Sequence, residues 1–246
     1  MFDLDGRVAL VTGAGQGVGT GIAACLAEQG AAVAVNDLHP ERAEAVAKQL
    51  REAGGRAEAF PFDVTDADAV VAGVRALEDA LGPLDVLVNN AGVPEGMGLE
   101  PFLHMDPAGW KAQIDLNLYG LLHCVHAVLP GMITRGYGRI VVISSGAAQV
   151  GLPIGVSLYG AAKAGALGFV RHLAQEVARR GVTVNAVALG LMENAAGADT
   201  EPILRTIPLG RAGTGRDAGA AVVYLASEEA SWVTGQTLSV NGGSLA

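Results

Sequence analysis

The chain alternates short runs rich in β-branched residues with long runs of helical periodicity, and that alternation fixes what it can fold into. Arg7–Thr12, Ala32–Asp37, Ala57–Asp63, Leu84–Asn89, Arg139–Ser144, Val182–Ala188 and Thr237–Val240 read as seven strands. Between them Val18–Gly30, Glu41–Ala53, Ala67–Leu81, Pro107 to about Thr134, and Leu158–Arg180 read as helices. Strands separated by helix-length segments pair in parallel, and both faces of such a sheet are covered. The expected fold is α/β: a doubly wound Rossmann fold with a seven-stranded parallel sheet and helices on both faces. No linker or repeat interrupts the pattern, so residues 1–246 form one expected domain.

The first strand runs into Thr12-Gly13-Ala14-Gly15-Gln16-Gly17-Val18-Gly19 and then a helix. Glycines there permit a tight turn and let backbone amides approach a pyrophosphate at the positive helix N-terminus. Gly13, Gln16, Gly17, Val18 and Gly19 are therefore candidate cofactor contacts, spaced G-x-x-x-G-x-G rather than G-x-G-x-x-G. Asp37 closes the second strand, where a carboxylate can accept hydrogen bonds from the adenosine ribose. Its charge repels a 2′-phosphate, and neither Gln16 nor Leu38 supplies the cation such a phosphate needs. NAD is the expected cofactor. Asp37 could instead cap the helix near Pro40. Likewise Asp63 and Val64 could meet the adenine, or Asp63 or Thr65 could cap the helix that follows.

Tyr159 and Lys163 stand one helical turn apart and project from one face. A phenol ionises near pH 10, and a neighbouring ammonium favours its phenolate, making it a usable proton acceptor.

A net charge of −9 with no Lys/Arg cluster argues against nucleic acid. No apolar run reaches the roughly 18 residues of a membrane span. Phe2–Arg7 lacks the basic and apolar regions of a signal peptide. Cys25 and Cys124 read as small core residues in a reducing compartment, so a cytoplasmic location is expected. His123 and His126 lie three apart, without further ligands nearby, and read as a helix face rather than a metal site.

With Thr12–Gly19, Asn89-Asn90-Ala91-Gly92, Asn117, Ser144-Ser145, Tyr159 with Lys163, and Thr234-Gly235-Gln236…Asn241-Gly242-Gly243, the chain resembles the short-chain dehydrogenase/reductase family over its whole length. The resemblance implies a catalytic tetrad. Tyr159 would exchange a proton with the substrate oxygen, and Ser145 would hydrogen-bond that oxygen. Lys163 would lower the Tyr159 pKa and, with Tyr159, touch the nicotinamide ribose. Asn117 would hold a water in a relay to Lys163. Asn90, Ala91 and Gly92 would line the adenosine side of the cofactor, and Gly190 and Met192 its nicotinamide end.

Three departures stand out. Ser145 precedes Tyr159 by one residue more than is usual in the family. Leu189-Gly190 replaces Pro-Gly, and Asn194 stands where a threonine is usual. A lid over 191–207, carrying Leu191, Met192, Ala195 and Ala196, would close on the site with Val93, Val150, Leu152 and Ile154. The expected substrate is a small apolar secondary alcohol or ketone, with only Arg205 as a candidate carboxylate clamp. The rival enzyme is an NADPH-dependent 3-oxoacyl-thioester reductase, and the non-enzymatic rival a dinucleotide-sensing module. The resemblance further implies a homotetramer built on the two long helices.

Overall fold

The computed structural model describes residues 1–93, 98–195 and 200–244. Seven strands form one parallel sheet: β1 (Val8–Val11), β2 (Ala32–Val35), β3 (Arg56–Ala59), β4 (Val86–Asn89), β5 (Gly138–Ser145), β6 (Val182–Leu189) and β7 (Thr237–Val240). Their spatial order is β3-β2-β1-β4-β5-β6-β7, with every pair parallel. The order reverses between β1 and β4, so a crevice opens at the carboxyl ends of those two strands.

The central strands are apolar without alternation because both of their faces are buried. On one face α1 (Gly17–Glu28), α2 (Pro40–Glu52) and α8 (Gly215–Ala226) set Ile22, Leu26, Val46 and Val222 over Val33, Val88, Val141 and Val187. On the other, α3 (Ala67–Leu81), α5 (Gly120–Arg135) and α6 (Ser157–Val177) set Val74, Leu77, Val125 and Val170 over Leu10, Leu87, Ile140 and Val184. The two glycine-bearing helices α1 and α8 touch backbone to backbone. A Cβ on Gly21 would stand 2.4 Å from the carbonyl carbon of Gly215.

Several boundaries differ from those read in the sequence. The third strand stops at Ala59 rather than Asp63. Pro61 has no N–H to give a ladder, and the buried amide of Asn36 takes the carbonyls of Phe60 and Phe62, each at 3.0 Å. The first two strands end at Val11 and Val35, one and two residues short of expectation, as the chain turns into the crevice. Neither Asp63 nor Thr65 caps α3. That cap is Asp66, which accepts from the backbone N–H groups of Asp68 and Ala69. The segment from Pro107 is not uniform: a 3₁₀ turn at Pro107–Gly109, α4 (Trp110–Ile114), a π turn at Asp115–Tyr119, then α5. By length and composition Pro107–Arg135 could cross a membrane, contrary to the expectation of no such run. Its apolar residues Leu121, Val125, Val128 and Met132 instead pack on the sheet. α6 ends at Val177 and passes into a 3₁₀ turn through Arg180. α7 (Glu201–Leu204) lies within the expected lid, and Ala196 falls outside the described residues.

Gly21→Ala should lower stability by about 1–3 kcal/mol, since the new methyl overpacks the α1–α8 contact. In a domain of this size that is a drop in Tm of several degrees by calorimetry. Gly109→Ala, with open space at the new methyl, should stay near wild type.

Candidate active site

The β1–α1 turn is built for close approach. Gly13 (φ 60°) and Gly17 (φ 57°) sit in the left-handed region that glycine tolerates. Gln16 is the N-cap of α1 without a side-chain capping bond, and no acidic residue occupies the first turn. The N–H groups and the positive end of the helix therefore face the crevice with no carboxylate from the helix's own first turn to compensate them. Val18 is half-buried, and Gly19 lies close to the Gly13 carbonyl and the Asn90 amide.

Asp37 is buried and does not cap α2, whose N-cap is His39. Its Oδ2 accepts from Gly15 N at 3.1 Å and its Oδ1 from His39 N at 3.0 Å. One carboxylate thus ties the glycine loop to the end of β2, with exposed Leu38 beside it. Arg42, which the sequence reading overlooked, stands at the same point. A Cβ on Gly15 would be 2.6 Å from Asp37 Oδ2 and 2.7 Å from the Arg42 Cβ. Its signal in the sequence is a cation in the first turn of α2, five residues after Asp37.

The Asn90 side chain is turned to the backbone: Nδ2 donates to the carbonyls of Thr12 and Gly13 at 2.9 and 3.0 Å. Thr12 Oγ1 in turn accepts from the N–H groups of Asn90 and Ala91. Thr12 and Asn90 brace the ends of β1 and β4 across the crevice, and Ala91 packs against Gly13. Val64 is buried against Gly120, and its carbonyl lies 3.1 Å from His123 Nδ1, which accounts for that histidine. Asp63 is occupied locally, accepting from Thr65 N and Oγ1 at 2.8 Å.

Ser145 ends β5, and its Oγ accepts from Ala147 N. Tyr159 and Lys163 lie on the α6 face toward the sheet, with Lys163 Nζ 5.7 Å from the phenol ring centroid. Lys163 is buried and donates to the Ile143 carbonyl at 3.0 Å. Burial pushes its ammonium down to about 8. Burial also pushes the Tyr159 phenol above its ordinary value, while the Ser145 hydroxyl pulls the other way. Lys163 is not among the groups that lower the phenol: desolvation raises Tyr159 and depresses Lys163, so the expected lowering by Lys163 does not appear in the chain's own electrostatics. Asn117 sits in the π turn, where its Nδ2 donates to the Gln113 carbonyl at 3.0 Å. Gly92 keeps space between the two: a Cβ there would be 2.5 Å from Lys163 Nζ and 2.8 Å from Asn117 Oδ1.

At the far end, Gly190 packs on Asn241, and Asn194 reaches back to Gly17, where a Cβ would be 3.0 Å from its Nδ2. Asn194 therefore lies over the glycine turn rather than confined to the far end. Met192 is buried in the core with its sulfur against Gly213, so its side chain is a packing element. Arg205 is paired with Glu201 at 3.3 Å. Exposed Val93, Leu99, Phe102, Val150 and Leu152 supply an apolar rim. Its two loops are joined by Glu100 N donating to the Gly155 carbonyl.

This arrangement places a phenol, a hydroxyl and an ammonium at the carboxyl ends of the strands, beside a glycine turn able to hold a pyrophosphate. Residues 13–244 match the family model described as "Enoyl-(Acyl carrier protein) reductase". The chain is 43% identical to the "Nodulation protein G" of Rhizobium meliloti (strain 1021), covering 99% of this chain and 98% of that protein. It is 40% identical to the 3-oxoacyl-(acyl-carrier-protein) reductase of Vibrio harveyi, covering 98% of each. It superposes with a TM-score of 0.91, at 34% identity, on a gluconate 5-dehydrogenase from Burkholderia cenocepacia solved with NADP and tartrate, covering 98% of this chain and 96% of that one. The chain belongs to the short-chain dehydrogenase/reductase family, an oxidoreductase family that binds a nicotinamide dinucleotide.

The depressed Lys163 pKa carries a stability consequence. Between about 8 and its ordinary 10.5 the unfolded chain binds more protons than the folded one. The penalty of the buried ammonium is therefore full below that window and fades as pH rises through it. Lys163→Met should melt at or above wild type at pH 7, with the gap between the two shrinking toward pH 10, measured by calorimetry.

Proposed function

We propose that the chain is an NAD-linked dehydrogenase/reductase interconverting a secondary alcohol and a ketone. The observation that carries this reading is the convergence of Tyr159, Ser145, Lys163 and Asn117 on one end of the sheet, beside the uncapped start of α1. The amides of Gly13 to Gly19 would hold the pyrophosphate. Asp37 would accept from the adenosine ribose, with Leu38, Asp63 and Val64 flanking the adenine. Asn90 and Thr12 position the turn, Ala91 and Gly92 line it, and Gly190 and Asn194 border the nicotinamide end.

The dinucleotide supplies hydride exchange with the substrate carbon. The protein supplies orientation and proton traffic. The Tyr159 hydroxyl gives its proton to the developing alkoxide in reduction and takes it back in oxidation. Ser145 Oγ donates to the same substrate oxygen and stabilises charge there. Burial holds the phenol up, and in this reading the positive charge of Lys163, its Nζ 5.7 Å from the ring centroid, would favour ionisation once the nucleotide is bound. The apolar rim favours an uncharged substrate, and Arg205 is already engaged by Glu201.

NAD is preferred in this reading because the buried carboxylate of Asp37, just past β2, would repel a 2′-phosphate. The names of the relatives favour a second reading, an NADPH-dependent 3-oxoacyl-thioester reductase, and Arg42 beside Asp37 is a cation such a phosphate could use. Turnover of a β-ketoester with NADH against NADPH separates the two. A homotetramer is consistent with the outer face of α6, where Ala161, Ala164 and Gly165 are exposed and small. Sedimentation at the monomer mass of 24.9 kDa would remove it.

Tyr159→Phe should cut NAD-linked oxidation across a secondary-alcohol panel by about 10²–10⁴, while the Kd for NAD stays unchanged. Undiminished turnover would refute the reading. Asp37→Ala should narrow the preference for NAD over NADP by about tenfold, a step of about 1.4 kcal/mol. Adding Arg42→Ala should weaken NADP binding in that background. An unchanged ratio of the two Kd values would overturn the specificity argument.

A further inference from the structure

A small, partly open cavity with one polar wall lies in the otherwise apolar layer between the sheet and α5 and α6. Its polar wall is Thr12, Asn89, Asn117 and Lys163, and it has about 10 Å³ of room for the centre of a water. That is the size and polarity that holds a single water. Asn89 ends β4 and follows Val88, which faces the α1–α8 core, so the strand alternation turns Asn89 to the opposite face with Leu87.

Asn89 is 5% exposed and Asn117 3%. Asn89 Nδ2 and Asn117 Oδ1 have no hydrogen-bond partner among the described residues. One is a donor and the other an acceptor. Three other polar groups of the wall are engaged. Asn117 Nδ2 donates to the Gln113 carbonyl, Thr12 Oγ1 accepts from Asn90 and Ala91, and Lys163 Nζ donates to the Ile143 carbonyl. An ammonium carries three donors, and Ile143 provides the acceptor seen for one.

The family resemblance implies a water between Asn117 and Lys163; we propose that Asn89 is a second clamp on that water, making Asn89 a positioning residue of the active site. The Asn89 amide donates to the water oxygen, and the water donates to Asn117 Oδ1. Its second lone pair then faces the ammonium as a further acceptor, holding Lys163 charged and fixed relative to Tyr159. Asn117 alone offers one contact and leaves the water free to turn. Asn89 adds the second contact that sets its orientation. The catalytic consequence rests on the dehydrogenase reading. The position of the water does not.

The test has a structural arm and a kinetic arm. A high-resolution crystal structure of the full chain should show one water within hydrogen-bond distance of both Asn89 Nδ2 and Asn117 Oδ1. A dry cavity, or an Asn89 amide satisfied elsewhere, would overturn the proposal whatever the enzyme's activity. In Asn89→Leu, kcat for alcohol oxidation should fall about tenfold or more, with the alcohol KM and the Kd for NAD unchanged. Tm should stay within a few degrees, because the orphaned donor is gone. Asn89→Ser, which restores a donor and leaves room for a second water, should recover most of the loss. Wild-type kcat in Asn89→Leu, or a loss of NAD binding there, would sink the positioning role. A Tyr159→Phe enzyme with full activity would sink the dehydrogenase reading and leave the crystallographic arm standing.

Discussion

The buried ammonium of Lys163 is the constraint on which the site depends. A charge held inside the helix–sheet layer is tolerated only where oxygen acceptors and space are arranged around it. The Ile143 carbonyl supplies one acceptor, at the point where β5 approaches its carboxyl end. Gly92 supplies the space, because any side chain there would meet both Lys163 and Asn117. The π turn at Asp115–Tyr119 sets Asn117 at the wall of the same cavity as Lys163. A local break in helix geometry at a functional residue is a common device. The price is a depressed ammonium pKa, which makes the charge sensitive to its surroundings at mildly alkaline pH.

The crevice itself is a product of topology. The sheet reverses order between β1 and β4, and the turns leaving those strands are tied together by Thr12 and Asn90. Asp37 joins the glycine turn to β2 from the other side. Residues that look like ligand contacts in the sequence therefore split into two kinds. Some present backbone N–H groups to the crevice. Others, such as Asn90, have their side-chain amides committed to holding the backbone in place. Loss of either kind would weaken cofactor binding, but for different physical reasons.

The architecture was legible because strands buried on both faces cannot hide their apolar runs, and the helices between them force parallel pairing. The four residues of the Tyr159 group were legible through spacing and family resemblance together. Features that depend on contacts across the fold were not. Arg42 stands with Asp37 only because both close on Gly15, and Asn89 gains meaning only once Asn117 is seen across the cavity. Met192 looks like a lid residue in sequence and packs into the core, since the chain bridges to Gly213 before it leaves the sheet. The third strand is shorter than its apolar run because Pro61 breaks the ladder and Asn36, from the neighbouring strand's end, donates to the carbonyls of Phe60 and Phe62.

The account stands on Lys163 governing the Tyr159 phenol. Ultraviolet difference titration of wild type against Tyr159→Phe isolates the ionisation of that one phenol. Without nucleotide it should ionise above the ordinary value near 10, as burial dictates. With NAD bound it should move toward neutrality, and Lys163→Met should abolish that movement. A midpoint that NAD leaves in place, or one that still moves when Lys163 is methionine, would contradict the account.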